Sequence, residues 1–250
     1  MFSYFDEEPV LKPQHIVKPR EGFPKCAIVT WQSSFLRCAQ KHCLKGLFTY
    51  VGGITQPVYE IEYKGNKYAF AVIGMGGPNA ASFIEEMTVM GTRDFVFMGS
   101  CGVIDKTVPT GLIVPDRAFR DEGTSWHYSP SKEEFLDIET APCTVDYLTR
   151  AGIPFAKGAT WTTDASYRET PSAVAYYRDR GCVCVEMECA SVMAVAKHLG
   201  VKAYQIIFTA DSLHGDKWEK GRLLDMADNA WEAYFLTALG LAESCVIEKL

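Results

Sequence analysis

The sequence predicts an α/β fold, a single domain whose central mixed β-sheet is flanked by helices. Short, almost continuously apolar runs such as Lys25 to Trp31, Asp94 to Met98 and Val201 to Thr209 read as strands covered on both faces. Helix-period stretches stand between them, the clearest running from Cys189 to Leu199. Glycine and proline clusters divide the two kinds of segment.

The 250 residues fit one large domain or two small ones, and a hydrophobic fraction of 48% supplies a sizeable core. The net charge of -6 gives no general attraction to nucleic acid or acidic membranes. No apolar run approaches the length of a membrane span. The acidic start, Met1 to Val10, lacks the basic-then-apolar order of a signal peptide. The nine cysteines are scattered, and several sit in apolar segments, which suits reduced core thiols and a cytoplasmic location. Cys182 and Cys184 have no histidines near them, and the glycine run from Gly74 to Gly77 is followed by Pro78 without completing a dinucleotide fingerprint, so neither a metal nor an organic cofactor is expected.

Residues 1–24 are rich in proline and polar side chains and read as an extended arm; residues 25–250 read as the single folded domain. Lys25 to Trp31 is the first strand, and Ser33 and Ser34 can cap a helix from Phe35 towards Leu44. Val58 to Tyr63 and Lys67 to Ile73 make a hairpin turned at Lys64-Gly65-Asn66. Gly74-Met75-Gly76-Gly77-Pro78 follows as a tight turn into a helix ending near Gly91. Asp94 to Met98 is a buried strand running into Gly99-Ser100-Cys101-Gly102. Gly111 to Pro115 and Lys157 to Thr163 are further strands, each followed by a polar-aromatic loop of the kind that carries function. Cys182 to Val185 is a strand end leading into the Cys189–Leu199 helix, which Gly200 stops. Val201 to Thr209 is the last strand, and Leu223 to Ile247 is a long closing helix.

Chemistry concentrates at the ends of these strands. Glu186 and Glu188 sit at a strand-to-helix junction inside an apolar segment, where an unpaired charge is costly. A desolvated carboxylate accepts two donors, which suits a ligand with paired hydroxyls. Ser100 and Asp211 also follow apolar strands, so all three pieces can converge at one edge of the sheet.

Four blocks carry a resemblance to the nucleoside phosphorylase superfamily of the uridine phosphorylase and hexameric purine nucleoside phosphorylase type. They are Gly99 to Gly102, Arg120 to Tyr128, Trp161 to Thr170 and Val185 to Glu188. The second and third resemble a bacterial uridine phosphorylase-like subgroup. The resemblance implies the family's three-layer fold. It also implies cleavage of the N-glycosidic bond of a uridine or purine nucleoside with phosphate, giving base and ribose 1-phosphate. Glu188 would accept from the ribose 2′ and 3′ hydroxyls, with Met187 packed on the sugar and Glu186 in support. Asp211 would protonate the leaving base, with Ser166, Tyr167 and Arg168 around it. Gly99 and Ser100 would hold phosphate. His15 would reach the 5′ hydroxyl of a neighbouring subunit's substrate, in a dimer or a hexamer built as a trimer of dimers.

The chain departs from that pattern where phosphate is gripped. Thr30 to Phe35 stands in place of a Gly-Asp-Pro loop and its arginine, and Phe97 stands where a second arginine belongs. Ser166 replaces an aromatic residue that stacks on the base. A hydrolase that uses water, or a nucleoside-binding protein without catalysis, therefore remains beside phosphorolysis.

Overall fold

The computed structural model describes residues 4–42, 44–52, 54–215, 217–221 and 226–245, with backbone only over 49–52 and 54–55. Its strands are β1 (Cys26–Thr30), β2 (Lys45–Gly52), β3 (Ile54–Tyr63), β4 (Asn66–Val72), β5 (Asp94–Val103), β6 (Leu112–Asp121), β7 (Phe135–Asp137), β8 (Phe155–Thr163), β9 (Cys182–Glu186) and β10 (Lys202–Ser212). The helices are α1 (Ser34–Ala39), α2 (Gly77–Met90), α3 (Ser125–Tyr128), α4 (Ala141–Arg150), α5 (Pro171–Arg178), α6 (Cys189–Leu199) and α7 (Asp228–Cys245).

The strands form one mixed sheet in the order β10-β6-β8-β9-β5-β1-β4-β3-β2, with β7 on the edge of β6. β5 also pairs with β10, so β5, β10, β6, β8 and β9 close on themselves, and β1, β4, β3 and β2 extend from that ring. One helical group, α2, α3 and α6, packs together, and α1, α4 and α7 form another. The core between them is dominated by fully buried aromatic and branched side chains, among them Phe35, Phe70, Phe95, Phe97 and Tyr204. Strands β1 and β5 are buried along nearly their whole length, as their unbroken apolar character requires.

Local sequence explains the element ends. Lys64 and Gly65 have φ of 49° and 78°, the pair of left-handed residues that a two-residue hairpin turn between β3 and β4 demands. Gly200, at φ 66° and ψ 29°, terminates α6.

Several elements differ from the sequence expectation. Gly99 to Gly102 is not a loop after β5 but part of it, because Gly99, Ser100 and Cys101 keep pairing with Ile207, Phe208 and Thr209 of β10. β6 continues through the polar Arg120 and Asp121, and β10 through Asp211 and Ser212. β2 was not among the expected strands, although Leu47 to Val51 is a run of strand-favouring residues between two glycines. α1 stops at Ala39, short of Leu44. The closing helix begins at Asp228, while Leu223 and residues 246–247 of its expected span lie outside the described residues. Cys143 on α4 and Cys245 at the end of α7 are joined as a disulfide, whereas Cys26, Cys38, Cys101, Cys182, Cys184 and Cys189 are free and buried. The expectation of reduced thiols thus fits those six and not the helix-to-helix pair. No helix among the described residues is long and apolar enough to cross a membrane.

Candidate active site

The junction between β9 and α6 holds two buried carboxylates that do different things. Glu186 Oε1 accepts from Thr162 Oγ1 at 2.6 Å and Thr160 Oγ1 at 3.2 Å, both on the neighbouring β8. Its Oε2 accepts from the backbone N–H of Glu188 at 2.8 Å and of Cys189 at 2.6 Å. Glu186 is therefore the cap of α6: it satisfies N–H groups that a helix start leaves unpaired, in the favourable field of the helix dipole. Burial holds its pKa above the ordinary value, against the pull of those hydrogen bonds.

Glu188 has no such set of partners. Its Oε1 accepts from the backbone N–H of Gly76 at 2.7 Å. Burial first, then the charges of Glu186 and Asp164, push its pKa up to about 8. Gly76 has φ 95°, a conformation glycine adopts without strain, and it leads into α2. Gly77 follows in tight contact with α6: a Cβ there would run into Ser191 Oγ and stand 3.1 Å from Thr124 Oγ1. The Gly-Met-Gly-Gly turn is thus the piece that lets α2 approach α6 and aims an N–H at Glu188.

Asp211 stands near the end of β10. A bulge at Ala210 shifts the register, so that Thr209 pairs with Cys101 but Asp211 pairs with Gly102. Without that extra residue Asp211 would turn to the other face of the strand. Gly102 lies between Asp211 on β10 and Val185 on β9. A Cβ on Gly102 would sit 3.2 Å from Val185 Cγ1 and 3.5 Å from Asp211 Oδ1, so the two side chains flank the glycine on one face. Asp211 lines a cavity of about 200 Å³ with Val103, Thr209, His214 and Glu219. Trp218 donates its indole N–H to Asp211 Oδ2 at 2.6 Å. Burial raises the Asp211 pKa, and the Trp218 bond works against that rise. Glu169, after β8, is pushed up to about 7 by burial and then by the charge of Asp211.

The wall at Ser100 is neutral. Gln32 Nε2 donates to Ser100 Oγ at 3.0 Å, and Thr30 Oγ1 donates to Gln32 Oε1 at 3.1 Å. Trp31 lies over Gly99, where a Cβ would be 3.0 Å from its ring, and it stacks on Phe97 at 5.7 Å between centroids.

A larger cavity, about 960 Å³, opens beside Asp164 and is lined by Tyr4, Arg120, Glu122, Trp126 and Lys132. Arg120 is buried beneath it, with its guanidinium 3.7 Å from the Trp126 ring centre and its Nη1 donating to the Ser131 carbonyl at 2.7 Å. Glu122 accepts from Ser125 N–H at 2.9 Å and from Ser191 Oγ at 2.6 Å, tying this loop to α6 behind Glu188. Among the described residues no group of three His, Cys, Asp or Glu side chains could hold a metal ion.

The model of the phosphorylase superfamily matches residues 47–236, which take in β5, β8, β9 and β10 with all of these side chains except Tyr4, Thr30, Trp31 and Gln32. The chain belongs to the phosphorylase superfamily. Among its relatives, a guanosine phosphorylase of Halorubrum lacusprofundi is 27% identical over 148 residues, covering 58% of this chain and 61% of the relative. A uridine phosphorylase of Thermococcus kodakarensis is 29% identical over 157 residues, covering 57% of each. The chain thus matches about three fifths of the length of these relatives. In solved structures the same fold recurs in a purine nucleoside phosphorylase of Toxoplasma gondii determined with immucillin-H. The TM-score there is 0.76 at 17% identity, over 98% of this chain and 100% of that one. An AMP nucleosidase of Bacteroides thetaiotaomicron gives a TM-score of 0.71 at 20% identity, over 91% and 90%.

Within this superfamily member, Ser100, Glu186, Met187, Glu188 and Asp211 are brought to adjoining strand ends, with Met187 half-buried between the two glutamates. Ser166, Tyr167 and Arg168 form an exposed 3₁₀ turn after β8, with Tyr167 fully open to solvent. His15 is exposed on another 3₁₀ turn that packs beside α2, and its Nδ1 accepts from Lys12 N–H at 3.3 Å. Sequence reasoning missed Trp218, Gln32 and Glu169. Glu169 had a signal in its place inside the Trp161 to Thr170 block, and Gln32 in its place inside Thr30 to Phe35; Trp218 had none.

Proposed function

We propose that this protein is a nucleoside phosphorylase-like enzyme that releases the base of a ribonucleoside by cleaving its N-glycosidic bond. The observation that carries the reading is the pair of desolvated carboxyls, Glu188 just beyond β9 and Asp211 near the end of β10, on the two strands that meet β5 at Gly102. Bond breaking builds positive charge on the ribose and negative charge on the base. Glu188 is an acceptor that meets only backbone N–H groups, those of Gly76 and Met187, leaving lone pairs for the 2′ and 3′ hydroxyls. Asp211, with its pKa raised by burial, carries a proton to the base. Glu186 orders the junction and holds Glu188 in place through the Glu188 N–H.

The relatives named for guanosine and uridine bracket the substrate class. An acid at the base favours a purine, whose ring nitrogen takes the proton. Phosphate is the acceptor in the relatives' names; the aromatic wall at Ser100 favours water as the second reading. The exposed arm side chains Val10, Leu11 and Ile16 favour a homo-oligomer in which the arm and His15 meet a neighbour.

A panel of purine and pyrimidine ribonucleosides, read by base release, tests the reading. Release from at least one, lost in Glu188→Gln, is expected. Binding of nucleosides without any turnover would point to a non-catalytic role.

A further inference from the structure

Among the described residues, the wall beside Ser100 is formed by the uncharged side chains of Thr30, Trp31, Gln32 and Phe97. We propose that it excludes phosphate and that water is the acceptor of the ribosyl group, an inference that rests on the base-release reading for its chemical step.

A phosphate dianion is held by cations and by N–H groups that point at it. At Gly99 the nearest surface is instead the ring of Trp31, close enough to leave a Cβ only 3.0 Å of room. Trp31 is stacked on Phe97 with 22° between the rings, so the two aromatics fill the wall as a unit. Ring faces carry negative partial charge and oppose an anion. The cation that follows in sequence, Arg37, turns outward to Asp228 at 3.1 Å.

The same wall suits a neutral acceptor. Ser100 Oγ and Gln32 Nε2 are hydrogen-bonded at 3.0 Å, and Thr30 fixes the amide by donating to its oxygen. That leaves the Ser100 hydroxyl proton and the second N–H of Gln32 to bind one water, which needs two to four polar partners. In the step, the water oxygen bonds to C1′ as the C1′–N bond breaks and its electron pair departs with the base. Asp211 gives its proton to the base, and the proton lost by water restores the Asp211 carboxyl. Nucleoside and water become free ribose and base.

The test has two arms on the full-length wild-type chain. In the first, inorganic phosphate alone is titrated to about 10 mM while thermal stability and tryptophan fluorescence are followed. No response is expected; saturation with a sub-millimolar midpoint overturns the proposal, whatever the activity. In the second, the ribonucleoside that best releases base is turned over in ¹⁸O-water with and without phosphate. Equal rates and ¹⁸O-labelled free ribose are expected. A tenfold or greater loss of rate without phosphate, with ribose 1-phosphate as product, overturns it. If no nucleoside releases base, the base-release reading fails, and the phosphate titration still decides whether the wall admits the anion.

Discussion

Trp218 Nε1 stands 2.6 Å from Asp211 Oδ2, so the proposed proton donor is held by an indole from the loop that follows its own strand. The bond leaves Oδ1, which faces the Gly102 side, as the oxygen able to carry a proton. An N–H donor favours the ionised carboxylate, while burial favours the acid. Trp218→Phe removes the larger of the two hydrogen bonds that oppose burial, leaving only that of the Asp211 backbone N–H, so the Asp211 pKa rises further. Base release that needs protonated Asp211 then persists to higher pH. A pH–rate profile checks this: the alkaline limb moves up in the variant. A limb that stays in place or moves down removes Trp218 from the proton's control.

Glu188→Gln keeps the size of the side chain and one oxygen to accept from Gly76, but loses the negative charge that Glu188 carries above about pH 8 and that answers positive charge on the ribose. Base release falls by about 10²-fold or more, while the far-ultraviolet circular dichroism is unchanged. Steady-state kinetics with the best substrate measures it, and a loss of less than about threefold would show that Glu188 is not an electrostatic partner of the sugar.

The stability of the chain carries the same signature. The Glu188 pKa is about 8 in the folded protein against an ordinary 4.5, so the folded state binds the proton more tightly than the unfolded chain. Stability contributed by this group is complete below about pH 4.5 and is lost as pH rises through about 8. A tenfold difference in proton affinity between the two states is worth about 1.4 kcal/mol. Wild type loses more stability than Glu188→Gln between about pH 5.5 and pH 8.5, as urea denaturation at the two values will show. Parallel losses in the two proteins would mean that Glu188 does not titrate in that window.

Glu186 is expected to matter for folding before chemistry. Glu186→Ala strands two helix-start N–H groups and two threonine hydroxyls inside the core, where each unpaired group costs about 1–3 kcal/mol. Its melting temperature drops far below that of Glu188→Gln. Equal melting temperatures would contradict the division of labour between the two glutamates.

Much of the fold was legible because β1, β5 and β10 are covered on both faces and read as unbroken apolar runs. The ends of β6 and β10 were not, because Arg120 and Asp211 are polar residues that remain in the ladder. Part of the site was legible too: Glu186 and Glu188 stood out as acids in an apolar segment. Their separate roles did not, since the distinction rests on which way each carboxyl turns, towards Thr160 and Thr162 or towards Gly76. The bulge at Ala210 that aims Asp211 leaves no mark in composition or spacing. Trp218 and Gln32 come from loops, and only the folded chain brings them to Asp211 and Ser100.

The most direct measurement compares base release from one panel of ribonucleosides by wild type, Glu188→Gln and Asp211→Asn, each confirmed as folded. Release by wild type and loss of about 10²-fold or more in both variants is the predicted result. Full activity in either variant, or release from no nucleoside by wild type, would contradict the assignment of the sugar to Glu188 and the base to Asp211.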